Sequence, residues 1–187
     1  MTDQELLRSY VERRDVESLS TFLCRYQDPL LRFVSKLLGD HDAAQDVVQE
    51  TFLQVARSPA RLLDVDSCHN WLLRVARNIG IDHLRRIARQ RKHARAVEEQ
   101  IAARTAAITQ PADVALEREE ERARVRAEIG RLKPRYRELL LLKVQEGKSY
   151  KEIAEITGLT VTNVGYLLHQ AMKSLSGRLR AHEGEAP

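Results

Sequence analysis

Ser149-Tyr150-Lys151-Glu152-Ile153-Ala154-Glu155-Ile156-Thr157-Gly158-Leu159-Thr160-Val161-Thr162-Asn163-Val164 decides the fold of this chain. A hydroxyl followed three residues later by a carboxylate is the capping-box pattern, which satisfies the first free amides of a helix. Ile153, Ala154 and Ile156 then point inward, and Gly158 supplies the left-handed backbone of a tight turn. Thr160 caps a second, longer helix with Val161, Val164, Leu168, Ala171 and Leu175 on one face. Ala154 is small where the two helices cross, and Val164 packs the second against the first. This is helix-turn-helix spacing, although an ordinary helical hairpin in a core also fits it. A DNA-reading motif of this kind enters the major groove by the N-terminal half of its second helix. Thr162, Asn163, Tyr166, His169, Gln170 and Lys173 are the side chains expected to face the groove, with Lys151 on the first helix near phosphate. Asn and Gln match adenine edges, His donates to guanine, and Lys173 suits a phosphate.

Upstream, the apolar period stays helical. Thr2-Asp3-Gln4-Glu5 is another capping box, and Leu19, Phe22, Leu23, Tyr26, Leu30, Leu31, Val34 and Leu37 form a stripe interrupted by Asp28-Pro29. Gly39 is a helix stop and Asp40 the next cap, opening a stripe from Ala43 to Ala56 that Ser58-Pro59 closes. A polar stretch, Asp64 to Asn70, precedes a fourth helix through Trp71, Leu72, Val75, Ala76, Ile79 and Leu84. Residues 96–116 shift to Ala, Thr, Gln and Glu with few large apolar groups, the composition of a linker. A charged helix over about 113–132 follows, and Pro134 suits the first turn of the helix after it. The expected fold is all-α, with two small helical domains joined by a flexible linker. The boundaries are residues 1–95, 96–116 and 117–187, the last holding the helix-turn-helix.

The 187 residues hold 31 Lys and Arg against 27 Asp and Glu, a formal charge of +4 that conceals a sharp segregation. From Arg74 to Arg95, eight cationic side chains face one acid, Asp82. Arg74, Arg77, Asn78, Arg85 and Arg89 share a side of the helix opposite Leu72, Val75, Ala76 and Ile79, and Arg86 extends the charge. Mutual repulsion on such a face costs stability unless a polyanion binds it. Trp71, at the start of this helix, is either a core anchor or a platform for an unpaired base, and the preceding loop through Asn70 can hydrogen-bond a splayed base. The preceding helix is acidic: Asp46, Gln49 and Glu50 line an edge that suits a protein partner rather than DNA, with Phe52 at its rim or in the core.

Other classes are excluded. The longest apolar run, Leu139–Leu142, is far short of the roughly 20 residues of a membrane span, and an acidic N-terminus is unlike a signal peptide. Cys24 and Cys68 are too few for a disulfide framework, although Cys68 in a polar loop is a candidate redox sensor. The six histidines are scattered without an HExxH, and there is no glycine-rich phosphate loop or GxSxG elbow. No metal, cofactor or catalytic residue is expected, and the chain does not read as an enzyme.

Phe22…Tyr26…Pro29-Leu30…Phe33, Gly39-Asp40…Asp46-Val47-Val48-Gln49-Glu50-Thr51-Phe52-Leu53 and Trp71-Leu72-Leu73-Arg74-Val75-Ala76-Arg77-Asn78…Leu84-Arg85-Arg86 resemble region two of extracytoplasmic-function (group IV) bacterial sigma factors. Leu132-Lys133-Pro134-Arg135-Tyr136-Arg137-Glu138 and Gly147 through Leu175 resemble their region four. The resemblance implies a subunit that joins core RNA polymerase and directs promoter-specific initiation. Asp46, Gln49, Glu50 and Phe52 would meet the β′ clamp helices. Asn70, Trp71, Arg74, Arg77, Asn78, Arg85, Arg86 and Arg89 would recognise and open the minus-ten element. The groove-facing residues of region four would read the minus-thirty-five element next to the β-flap. The resemblance also implies an anti-sigma factor as partner, and a cytoplasmic location, with the chain held at the membrane only through such a partner. Gly165, Leu167 and Gln170 stand where much of the family carries basic residues. The competing reading is a stand-alone helix-turn-helix regulator with an N-terminal sensor or dimerisation domain.

Overall fold

A computed structural model describes residues 1–98, 125 and 127–183. The linker expected over 96–116 lies almost wholly outside the described residues, as does most of the helix expected over 113–132. Among the described residues every regular element is helical. The order is α1 (Asp3–Arg13), α2 (Val16–Leu38), α3 (His41–Arg57), a 3-10 turn (Pro59–Leu62), α4 (Cys68–Glu98), α5 (Pro134–Leu140), a π-helical turn (Leu141–Gln145), α6 (Tyr150–Thr157) and α7 (Val161–Glu183).

The caps explain most boundaries. Thr2 and Glu5 form a reciprocal capping box at α1, and Ser149 and Glu152 form one at α6. Asp15 and Asp40 accept the first amides of α2 and α3. Gly39 ends α2 and Gly158 ends α6, both at φ 73°, where any other residue would be strained. Pro29 does not interrupt α2, as Asp28-Pro29 had suggested: the helix runs from Val16 to Leu38 with the proline inside it. Leu19, Phe22, Leu30, Phe33, Val34 and Leu37 are all buried on its inner face. That packing outweighs the loss of one backbone hydrogen bond, a proline cost of about 3 kcal/mol.

α1 to α4 pack around Phe22, Phe33, Leu37, Val47, Val55, Leu72 and Leu73, all at most 3% exposed. The helix-turn-helix has its own centre in Leu139, Leu142, Ile153, Val164 and Ala171. The two sets belong to one contiguous apolar cluster, because α5, the π turn and α6 pack onto α2 and α4. The two helical domains expected from sequence are therefore folded against each other.

Candidate nucleic-acid interface

α4 begins at Cys68, earlier than the polar stretch before Trp71 suggested. Ser67 caps it, its hydroxyl accepting the Asn70 amide at 3.2 Å and its carbonyl the Trp71 amide at 3.1 Å. Asn70 is therefore in the first turn of the helix rather than in a loop. Cys68 is buried, with its thiol directed at the Leu62 carbonyl, and burial pushes that thiol up to about 11. A buried thiol with a raised pKa is a poor nucleophile, which removes Cys68 as a redox sensor. Trp71 is half-buried against the core, and it borders an open cleft of ≈ 260 Å³. Asp64, Asp66, Ser67, Asn70 and Arg74 line the rest of one side of that cleft. Its opposite wall, Glu155 and Ile156, comes from α6.

Arg74 at the cleft, and Asn78, Arg85, Arg86 and Arg89 beyond it, are exposed on α4. The Arg85–Asp82 pair is loose, with both side chains 71% exposed. Arg77 differs from the others. Its guanidinium grips Glu138 of α5, with Nη2 2.9 Å from Oε1 and Nε 3.3 Å from Oε2, and also donates to the Asn78 side chain.

On α3, Asp46 and Gln49 are exposed, and Glu50 is half-exposed and 3.5 Å from Arg57. Phe52 is half-buried and lies at the rim, where with Leu23, Leu31, Val48 and Leu53 it lines an apolar groove of ≈ 470 Å³ bordered by Gln49. The groove is a surface that the acidic pattern alone did not announce. A second cleft, ≈ 780 Å³, separates Asp46 and Glu50 from His83, Arg86 and Arg89, so the acidic and basic edges of the two helices face each other across it.

α7 buries Val164, Leu168, Ala171 and Leu175 as expected, but Val161, expected on the same face, is exposed because it stands in the first turn, beyond the crossing with α6. Thr160 Oγ1 accepts the Asn163 amide at 3.2 Å, and Val164 is fully buried. Thr162, Asn163, Tyr166, His169 and Lys173 are exposed, Gln170 is half-buried, and Lys151 is exposed on α6. Leu167 packs onto the core, leaving Tyr166 (62% exposed) and Val161 (50%) as the apolar part of that surface. Sequence reasoning missed the acids that α4 meets: Glu138, Glu146 and Glu152. Glu152 was legible as a capping carboxylate and Glu138 as a carboxylate directly before the apolar run Leu139–Leu142, but nothing marked either as a partner of α4. Among the described residues no group of three His, Cys, Asp or Glu could hold a metal, and no helix is long and apolar enough to cross a membrane.

Residues 22–90 match the family profile of Sigma-70 region 2, and residues 122–175 match that of Sigma-70, region 4. The chain belongs to the sigma-70 family. Several of its relatives are named as extracytoplasmic-function sigma factors. It is 27% identical to the RNA polymerase sigma-H factor of Pseudomonas aeruginosa over 95% of this chain and 94% of that protein. It is 25% identical to the extracytoplasmic-function RNA polymerase sigma-E factor of Haemophilus influenzae, over 96% of each. Among solved structures, it resembles CnrH in complex with the cytosolic domain of CnrY, with a TM-score of 0.64 and 24% identity over 96% of this chain and 97% of that one. It also resembles the sigma factor RpoE of Bartonella quintana in complex with the anti-sigma factor NepR, with a TM-score of 0.65 and 20% identity over 86% of this chain and 96% of that one. The all-α fold of this sigma factor is thus shared over nearly its whole length. It is a promoter-directing transcription initiation factor rather than a stand-alone regulator, since two sigma regions stand where a sensor domain would otherwise be.

Proposed function

We propose that this sigma factor divides its work among three surfaces, with region two in residues 1–95, a linker over 96–116 and region four in 117–187. Asp46, Gln49 and Glu50, with the apolar groove around Phe52, dock core RNA polymerase on its β′ clamp helices. Asn70, Trp71, Arg74, Arg77, Asn78, Arg85, Arg86 and Arg89 engage and open the minus-ten element. Lys151, Thr162, Asn163, Tyr166, His169, Gln170 and Lys173 read the minus-thirty-five element beside the β-flap.

The observation that carries this reading is the segregation of charge between α3 and α4. One helix offers acids beside an apolar groove, which fits a basic protein partner, and the next offers five exposed polar and cationic groups in line beside an aromatic-edged cleft. Strand opening costs a few kcal/mol per unstacked step, which capture of a splayed base and clamping of its phosphates can offset. The protein thus acts by binding, without bond chemistry of its own. The similar solved structures hold the sigma factor RpoE with the anti-sigma factor NepR, and CnrH with the cytosolic domain of CnrY, and we infer a comparable inhibitor for this chain. A cytoplasmic location, at the membrane only through such an inhibitor, follows from that role.

Run-off transcription with purified core polymerase tests the assignment. Initiation that requires this chain and collapses with Asp46→Lys and Glu50→Lys is the expected result. Promoter binding and initiation indifferent to those reversals would refute the polymerase assignment.

A further inference from the structure

The cleft between α3 and α4 carries opposite charge on its two walls and leaves both unpaired. Its ≈ 780 Å³ lies within the roughly 300–1,000 Å³ of small-molecule sites. Val47, 3% exposed, and the half-buried Ile79 give it an apolar lining. Asp46 and Glu50, one turn apart on α3, stand on one side, and His83, Arg86 and Arg89 stand on the other. Among the described residues neither acid pairs with either arginine, so the walls attract each other without meeting.

The α4 wall is set for phosphate. Arg86 Nη2 donates to His83 Nδ1 at 3.2 Å, which orients the guanidinium and puts the proton of a neutral His83 on Nε2. Arg89 Nε donates to the Arg85 carbonyl at 3.3 Å, leaving its two Nη groups for a ligand. Arg86 and Arg89 are three residues apart and so are neighbours on the helix surface, which suits two linked phosphates better than one. Asp82, the acid on this wall, is engaged by Arg85 at 3.1 Å.

The α3 wall suits a different group. Among the described residues Asp46 has no hydrogen-bond or ion-pair partner, so both of its oxygens are available. Two parallel carboxylate oxygens match two parallel N–H donors. Among the common nucleobases guanine alone has that edge, its N1–H beside its N2 amino group. Adenine and cytosine set a ring-nitrogen acceptor beside their amino group, and uracil offers one N–H between two carbonyls. Glu50 gives only Oε1, at 3.5 Å, to Arg57, and its other oxygen can accept from a ribose hydroxyl.

We infer that this cleft binds a guanine ribonucleotide with at least two phosphates: Asp46 takes the base edge, Glu50 the ribose, and Arg86 and Arg89 the phosphates. The inference goes beyond the polymerase and promoter surfaces and needs neither, because the binding belongs to the free chain. An occupied cleft takes from both surfaces side chains that they use.

The test is equilibrium dialysis of the full chain, without core polymerase, against GDP, ADP, guanosine and a mixed-sequence DNA single strand. GDP should bind about tenfold tighter than ADP, the discrimination of one good bidentate pair, and guanosine should bind more weakly than GDP. Asp46, Arg86 and Arg89 are exposed, so replacing them leaves the core intact. Asp46→Asn should bring GDP down to the level of ADP. Arg86→Ala with Arg89→Ala should weaken both about tenfold and keep their ratio. Arg8→Ala, which removes an exposed cation from α1, should change neither and so controls for net charge. Equal binding of GDP and ADP, or a preference for GDP that survives Asp46→Asn, would reduce the site to a face that attracts any polyanion and overturn the inference. Strand binding that Asp46→Asn weakens as much as GDP binding would assign the cleft to a guanine within a strand, and overturn it as well.

Discussion

The basic face of α4 predicts how promoter binding responds to salt. Arg74, Arg85, Arg86 and Arg89 are all exposed, and among the described residues none is held by the C-terminal helices. The one acid among them, Asp82, pairs with Arg85 in a fully solvated geometry, which is worth little and does not withhold that arginine from a phosphate. Four phosphates on a single strand correspond to a slope of roughly −3 in log affinity against log salt, from about −0.7 for each phosphate neutralised. Between about 50 and 200 mM salt this face would lose about fifty-fold in affinity. Arg85→Ala with Arg89→Ala removes half of those contacts and should flatten the slope by about 1.4, leaving a loss of about sevenfold from this face. The assay is a fluorescence-anisotropy titration of holoenzyme with fork-junction DNA across a salt series. Core polymerase contributes contacts of its own, but the same ones to both proteins, so the difference in slope isolates α4. Parallel lines for wild type and double variant would refute the reasoning even if the variant bound more weakly at every salt, because a conformational defect shifts the line without rotating it.

Four further outcomes follow from the packing and the caps. Gly80→Ala in α4 should stabilise the fold by about 0.5–1 kcal/mol in urea unfolding, because helix interiors disfavour glycine; its new methyl would meet Leu37 and Leu38 at 3.5 and 3.6 Å, ordinary contact distances. Phe33→Ala empties a fully buried site in α2 and should cost about 3–5 kcal/mol by the same measurement. Ser149→Ala removes the hydroxyl cap of α6 and should cost about 1 kcal/mol. Hydrogen bonds from the Ser149 amide and hydroxyl, and then from Asn70, pull Glu152 down to about 2. A carboxylate depressed on folding contributes stability that is complete above its ordinary value of 4.5 and is lost as pH falls toward about 2. Thermal unfolding of the wild-type chain should therefore grow more acid-sensitive across that window, and Ser149→Ala should lose part of that sensitivity.

The local grammar of this chain was readable and its long-range pairing was not. Thr2 with Glu5, Asp40, Ser149 with Glu152, Gly39 and Gly158 each announce a helix boundary through chemistry confined to four or five residues, and each is found where it was expected. Pro29 misled because proline is a local signal, whereas the buried face of Leu30, Phe33, Val34 and Leu37 that carries α2 through it is a tertiary fact. The helix start at Cys68 was hidden in the same way, since polar residues suit both a loop and a first turn. The contacts of Arg77 with Glu138 and of Asn70 with Glu152 join residues 61 and 82 positions apart, and nothing in the spacing of either partner marks the other. The exposed arginines could be found from periodicity alone, but Arg77 occupies a neighbouring helical position and has a different environment.

The doubled duty of Glu152 has a mechanical consequence. Its carboxylate holds the Ser149 amide at 2.9 Å and the Ser149 hydroxyl at 2.8 Å within its own turn, and reaches Asn70 with its other oxygen. Separating the two halves of the chain breaks only the outward bond, and the inward ones keep the first turn of α6 wound. The helix-turn-helix therefore keeps its own order independently of its contact with α4, its second helix held in register by Gly158 and Val164. Parting the two halves would cost the apolar surface they share and the bonds between them, but not these inward bonds.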